Sequence, residues 1–175
     1  MSRLPELSAE TMTEEQRRVY NLTRPGRPPG VVHGPSGAWL RSPELYERIG
    51  WMILFMRNDS VIPARLVEFV ILITVGEWEA EYPWGVHEGM ARKAGLGDEV
   101  IAAIGAGGRP EFTNADEEAV YDFCAELREN HKVSGDTYRA ALEHLGEQGV
   151  VELVALLGLY MTVSMTVNAF EIPAV

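Results

Sequence analysis

The chain reads as an all-α protein, and three observations predict this. Helix-start signals recur along its whole length: a Thr13-Glu-Glu-Gln16 capping box, proline starts at Pro43 (behind Ser42), Pro63 and Pro83, and a serine cap at Ser134. No stretch of four to eight residues alternates cleanly between turn residues, so no sheet is expected. The apolar run at residues 70–75 is β-branched but continues the helix-favouring Pro63-Ala-Arg-Leu-Val-Glu68 segment, which makes it helix rather than buried strand.

In order, the capping box opens a short helix to about residue 22. Residues 24–37 are rich in Pro and Gly and predict an irregular loop, long enough to cover a site. A helix over 43–57 carries the apolar stripe Leu45, Ile49, Met52, Ile53 and Met56. The next runs from Pro63 to about residue 79. Another starts at Pro83 and ends at Gly95 in a left-handed C-terminal cap. Gly97-Asp98 opens a short helix closed by the glycines at 105–108, and Asn114-x-x-Glu117, a capping-box variant, opens one to about His131. Ser134 starts a helix ending at Gly146, and a last apolar helix spans about 149–170.

The 175 residues suit one domain, and 46% hydrophobic with 23% charged residues is a globular composition. Fifteen basic against 26 acidic residues give a formal charge of -11, which argues against a nucleic-acid partner. The single cysteine, Cys124, excludes an intramolecular disulfide and any Cys-x-x-Cys motif. No signal-peptide pattern opens the chain, and the apolar run at 153–167 falls short of the ~20 residues of a membrane span. A cytoplasmic location without membrane association is therefore expected. No Cys/His/Asp cluster and no Walker lysine is present, so neither a metal nor an organic cofactor is expected.

Chemistry concentrates between residues 65 and 87. Glu68 sits in a helix apolar on nearly all faces, where burial favours a raised pKa and a role in proton transfer. The structural alternative pairs it with Arg65. His87 can serve as acid or base near neutrality, or simply fill a helix face. Tyr82 and Trp84 offer an aromatic wall or ordinary helix-start packing, and His33 in the Pro/Gly loop is a candidate lid residue. His131 and His144 read as solvent-facing helix ends, and Cys124 as an inert thiol on an apolar face. Spacing alone does not join Glu68 to His87. In a straight hairpin turning near Glu81 they lie about 20 Å and about 9 Å from the turn at 1.5 Å per residue.

Arg65-Leu-Val-Glu68, Tyr82-x-Trp84-x-x-His87-x-x-x-Ala91, Ala94-Gly95-Leu96 and Val100-Ile101-x-x-Ile104 together resemble the carboxymuconolactone decarboxylase family, within the alkylhydroperoxidase D-like (AhpD-like) superfamily. The resemblance is strongest over residues 42–108 and treats 1–175 as one such domain; Asn168-Ala-Phe-Glu171 resembles a subgroup feature. It implies an AhpD-like bundle of six to eight helices with an internal helical hairpin, assembled as a homotrimer or homohexamer. In the peroxidases of this superfamily a cysteine pair precedes the histidine, and a glutamate nineteen positions before that histidine relays protons. Here Glu68 stands nineteen before His87, while Ala80 and Pro83 occupy the thiol positions.

The resemblance also implies that Glu68 and His87 share a pocket. The function expected is a cofactor-free decarboxylase or related lyase or isomerase on a small carboxylated lactone or oxo acid, as in aromatic-compound catabolism. In that reading His87 is the general acid/base, Glu68 its partner, and Arg65 a carboxylate anchor unless it neutralises Glu68. The alternative is a non-catalytic, oligomeric ligand-binding or stress-associated protein on the peroxidase scaffold without its thiols.

Overall fold

A computed structural model describes residues 2–24 and 30–174. These contain eight helices and no strand: α1 (Glu14–Thr23), α2 (Pro35–Trp39), α3 (Pro43–Asn58), α4 (Ala64–Glu77), α5 (Glu81–Ala94), α6 (Asp98–Gly105), α7 (Ala115–Asn130) and α8 (Gly135–Ala169). The all-α expectation therefore holds, at the upper end of the helix count.

α4 is the axis of the bundle. Every residue from 66 to 75 is buried, Glu68 and Thr74 included, and α5, α6, α7 and α8 all pack on it. A helix apolar all round has no solvent face to keep, so neighbours must cover it on every side. Fully burying side chains such as Leu66, Phe69 and Leu72 contributes about 1.5–3 kcal/mol each. Phe69 also meets Phe112 edge-to-face, with ring centroids 6.2 Å apart.

Several local signals act as read. Thr13 and Gln16 form the full capping box, Ser134 caps α8 through the Thr137 amide, and Gly95 ends α5 with φ 97°. Others differ. Pro63 is the N-cap of α4 in an extended conformation, and the helix begins one residue later. α5 begins at Glu81, placing Pro83 at its third position, where the missing N–H has no intrahelical acceptor to forgo. The Asn114 side chain does not cap α7; its Nδ2 donates to Glu117 Oε1 at 3.0 Å.

The Pro/Gly-rich loop is not irregular throughout, because Pro35 opens the five-residue α2; residues 25–29 lie outside the described residues. Gly34 just before it has φ 68°, and a Cβ there would lie 2.5 Å from the Tyr82 ring, so both backbone and space require glycine.

The two helices expected at 134–146 and 149–170 are continuous in α8 except at Gly146, whose φ 68° and ψ 174° kink it. By length and composition α8 could cross a membrane, but 56% of its most apolar window is buried inside the protein. It is a core helix of the bundle.

Three polar ties fix the helices that frame the site. Glu152 on α8 accepts from Ser60 Oγ at 2.6 Å, the Val61 amide at 2.9 Å and Gln148 Nε2 at 2.7 Å, anchoring the α3–α4 connection. Trp39 Nε1 donates to Thr166 Oγ1 at 2.9 Å, fastening α2 to the same helix. At the far end of α8, Asn168 Nδ2 donates to the Trp78 carbonyl at 2.7 Å, holding the α4–α5 turn.

Candidate active site

α4 and α5 form the internal hairpin, joined by only Trp78, Glu79 and Ala80. Glu79 takes a left-handed φ of 48°, which lets the chain reverse in so few residues. The turn therefore lies before Glu81, and this halves the axial offset that separates the two candidates. Glu68 lies roughly 13 Å before the end of α4 and His87 roughly 9 Å into α5 at 1.5 Å per residue. Side chains span the remaining few ångströms. Glu68 Oε2 lies 2.7 Å from His87 Nδ1, and both residues are buried, at 7% and 4% exposure. A carboxylate accepts, so Nδ1 carries the hydrogen and Nε2 is the acceptor nitrogen of the neutral ring.

On the other side of the ring the Tyr160 hydroxyl of α8 lies 3.2 Å from His87 Nε2, with the two rings perpendicular. Glu68, His87 and Tyr160 form one hydrogen-bonded chain across three helices. Burial pushes the Tyr160 phenol well above its ordinary pKa, more strongly than the Arg57 guanidinium beside it draws it down. It remains protonated throughout the neutral range.

His87 and Tyr160 face an open cavity of about 620 Å³ lined by α1, α2, α3, α5, α8 and the segment from Gly30 to His33. Its volume suits a small organic molecule. Two arginines (Arg24 and Arg57) and two histidines (His33 and His87) line it, and no carboxylate does, among the described residues. That is notable in a chain of charge -11. Arg24 is partly engaged, donating to Ser36 Oγ at 2.9 Å and lying over the Tyr20 ring. Arg57, in the last turn of α3, forms no salt bridge among the described residues.

Of the residues singled out in the sequence, the structure brings His87, Tyr82 and His33 to this cavity, with Glu68 directly behind His87. Tyr82 is half-buried in the wall, and burial raises its phenol pKa. His33 is exposed at the rim. Arg65 is a correction: it does not line the cavity and does not pair with Glu68. It is held by Asp116 Oδ2 at 2.7 Å and by buried Glu117, on α7. One turn before Glu68 on α4, it reaches α7 while Glu68 reaches His87 on α5. Trp84 is a second correction. Its indole packs against Gly76 and Gly105, between α4 and α6, and is not a cavity wall.

Ala80 is buried at the N-cap of α5 and Pro83 lines the cavity, so neither position offers a thiol. Cys124 is buried on α7 and does not line the cavity; burial pushes its thiol up to about 12, leaving it protonated and unreactive at neutral pH. Sequence reasoning missed Tyr160 and Arg57. Tyr160 stands in the apolar run of α8, where its hydroxyl is the available signal: a buried tyrosine needs a partner. Arg57 reads equally well as a favourable charge at a helix C-terminus.

The fold is that of the AhpD-like helical proteins. An uncharacterized peroxidase-related protein from Ralstonia eutropha JMP134, an alkylhydroperoxidase AhpD core, superposes with a TM-score of 0.77 at 13% identity, covering 99% of this chain and 92% of that one. An uncharacterized peroxidase-related protein from Silicibacter sp. TM1040 gives 0.75 at 12% identity over 98% and 91%. The debrominase Bmp8, a variant in complex with 2,3,4-tribromopyrrole, gives 0.72 at 14% identity over 100% and 94%. No protein-family model and no curated protein matches the chain. At these identities the likeness is one of fold.

Proposed function

We propose that the protein is a cofactor-free acid–base enzyme, a decarboxylase or related lyase or isomerase acting on a small carboxylated lactone or oxo acid. One observation carries this: a buried Glu68–His87 pair stands behind a small-molecule-sized cavity whose charged lining is cationic. Loss of CO2, or movement of a C–H proton beside a carbonyl, needs the carboxylate held, the developing charge stabilised and a proton exchanged. Arg57, without an ion-pair partner among the described residues, is suited to the first task and takes the place that Arg65 leaves. The pair supplies the proton exchange. That Bmp8 holds a small ring compound on the same fold supports the size of substrate, not its chemistry.

The test is a panel of lactones and oxo acids, assayed for CO2 release and for C–H exchange, together with binding of carboxylates and of neutral amides of the same shape. Arg57→Gln should weaken carboxylate binding about 10–100-fold, the worth of a charge-assisted hydrogen bond, and leave the amides unchanged. Equal binding of acid and amide by the unaltered protein would remove the anion site.

A non-catalytic ligand-binding role is the second reading. It is favoured by His87 having both ring nitrogens already hydrogen-bonded inside the fold. Its signature is carboxylate binding without turnover of any compound in the panel.

We also propose a homo-oligomer. Val151, Val154, Met161 and Met165 are exposed along one face of α8, an apolar stripe at helical spacing that a second copy would cover. Light scattering at micromolar concentration should show a species larger than 19.4 kDa, and a monomer would refute the assembly.

A further inference from the structure

We infer that the group exchanging a proton with the substrate is the Tyr160 phenol, with His87 and Glu68 acting through it. The inference rests on the acid–base reading above and names the atom at which that chemistry occurs. His87 is 4% exposed, and the nitrogen that would meet a substrate, Nε2, is already directed at the Tyr160 hydroxyl 3.2 Å away. The rings stand perpendicular with centroids 5.2 Å apart, and the phenol lines the cavity beside the imidazole. Nδ1 is committed to Glu68 at 2.7 Å, which fixes the ring's orientation and tautomer. The imidazole has no third polar atom, so a proton leaves this pair toward the cavity through the Tyr160 oxygen.

Among the four cavity tyrosines, Tyr160 alone has its hydroxyl on a base; those of Tyr20, Tyr46 and Tyr82 have no side-chain hydrogen bond among the described residues. Arg57 lines the same cavity as Tyr160, and its positive charge favours phenolate character on that hydroxyl.

In a decarboxylation the balance is as follows. The bond from carbon to the carboxylate breaks, its electron pair passes into the adjacent carbonyl system, and CO2 departs. With His87 in its imidazolium form, Nε2–H donates to the Tyr160 oxygen and the phenol hydrogen is free to turn into the cavity. That hydrogen transfers to the substrate carbon while the Nε2 proton moves to the phenol oxygen. The phenol is thereby restored and the imidazole left neutral, and a proton from water recharges it. In an isomerisation the first half runs in reverse: neutral Nε2 takes the phenol proton as the oxygen takes a C–H proton. The same proton then returns to a different carbon.

Two small probes test the step: levulinate in D2O, with deuterium incorporation beside its carbonyl followed by NMR, and acetoacetate, with CO2 release measured above the spontaneous rate. Tyr160→Phe should lower both rates about 100-fold or more, comparable with His87→Ala, the usual worth of a positioned acid or base. Binding of levulinate by calorimetry should stay within a few-fold. If Tyr160→Phe keeps rates within a few-fold of the unaltered protein while His87→Ala abolishes them, His87 acts directly and the inference fails, the acid–base reading surviving. If the unaltered protein binds levulinate but accelerates neither reaction, or binds neither probe, that reading fails and the role of Tyr160 with it. Should Tyr160→Phe not fold, replacing the tyrosines biosynthetically with meta-fluorotyrosine keeps every hydroxyl but makes the phenols more acidic. Both rates should then change several-fold, and unchanged rates overturn the inference.

Discussion

His87→Ala and Glu68→Gln should each lower turnover on the order of 10²–10⁴-fold once a substrate is in hand, with the double variant no worse than the poorer single one. The expectation follows from the geometry of the pair. Glu68 accepts from Nδ1 at 2.7 Å inside the protein, so its carboxylate orients the ring and sits beside whatever charge the ring acquires. A glutamine in its place would keep the shape and still accept the hydrogen through its amide oxygen, but it would carry no charge to balance an imidazolium. His87→Ala removes the link between carboxylate and phenol altogether. Because the two groups act as one unit, losing either forfeits most of the effect of both.

A purely structural pair predicts a different pattern. Substitutions would then lower thermal stability by about 1–3 kcal/mol, the cost of leaving a buried polar group without its partner, and would not move rates at constant folded fraction. Melting curves and initial rates on three variants distinguish the two. Full rates in both single variants would remove the site.

Much of the architecture was legible because helix boundaries are written in local chemistry. Thr13 with Gln16, Ser134 and Gly95 each satisfy orphan backbone groups at a helix end, and each does so in the structure. Proline was legible only to within a residue or two. Its missing N–H is tolerated anywhere in the first turn and also at the N-cap, so Pro43, Pro63 and Pro83 stand at three different positions of their helices. For Pro83 the difference had a consequence. Starting α5 at Glu81 places the reversal at residues 78–80 and cuts the axial offset between Glu68 and His87 to a few ångströms, an approach that helical rise measured from a turn at Glu81 did not allow.

The cavity was less legible than the pair behind it. Arg65 and Glu68 are three apart on α4, which suggests contact, yet Arg65 found two carboxylates on α7, more than fifty residues away. Tyr160 is seventy-three residues from His87 and joins it only because α8 packs across the hairpin. Both partnerships are tertiary, and no periodicity in one chain records them. Trp84 shows the converse. It lies in the same turn as Tyr82 but points the other way, into a space that Gly76 and Gly105 leave open, so adjacency in sequence gave it a role that its face of α5 denies.

The arginine that lost its place at the site gives the second large effect. Arg65→Ala should destabilise the fold by about 2–4 kcal/mol, and its effect on rate should be no more than a few-fold at temperatures where the variant is folded. Glu117 is 2% exposed and depends on Arg65 for its counter-charge; the Asn114 amide at 3.0 Å is its other partner. Asp116 is exposed enough for water to compensate most of what it loses, so the cost arises at Glu117. The charge pair as a whole need not be stabilising, since taking both ions out of water offsets their attraction. Arg65→Met combined with Glu117→Leu should therefore recover a substantial part of the loss, because no buried charge is then left alone. Chemical denaturation of the two variants reads this directly. An Arg65→Ala variant as stable as the unaltered protein would mean that Glu117 finds solvent or another donor. A double variant less stable than the single would mean that the α4–α7 contact depends on the ion pair itself.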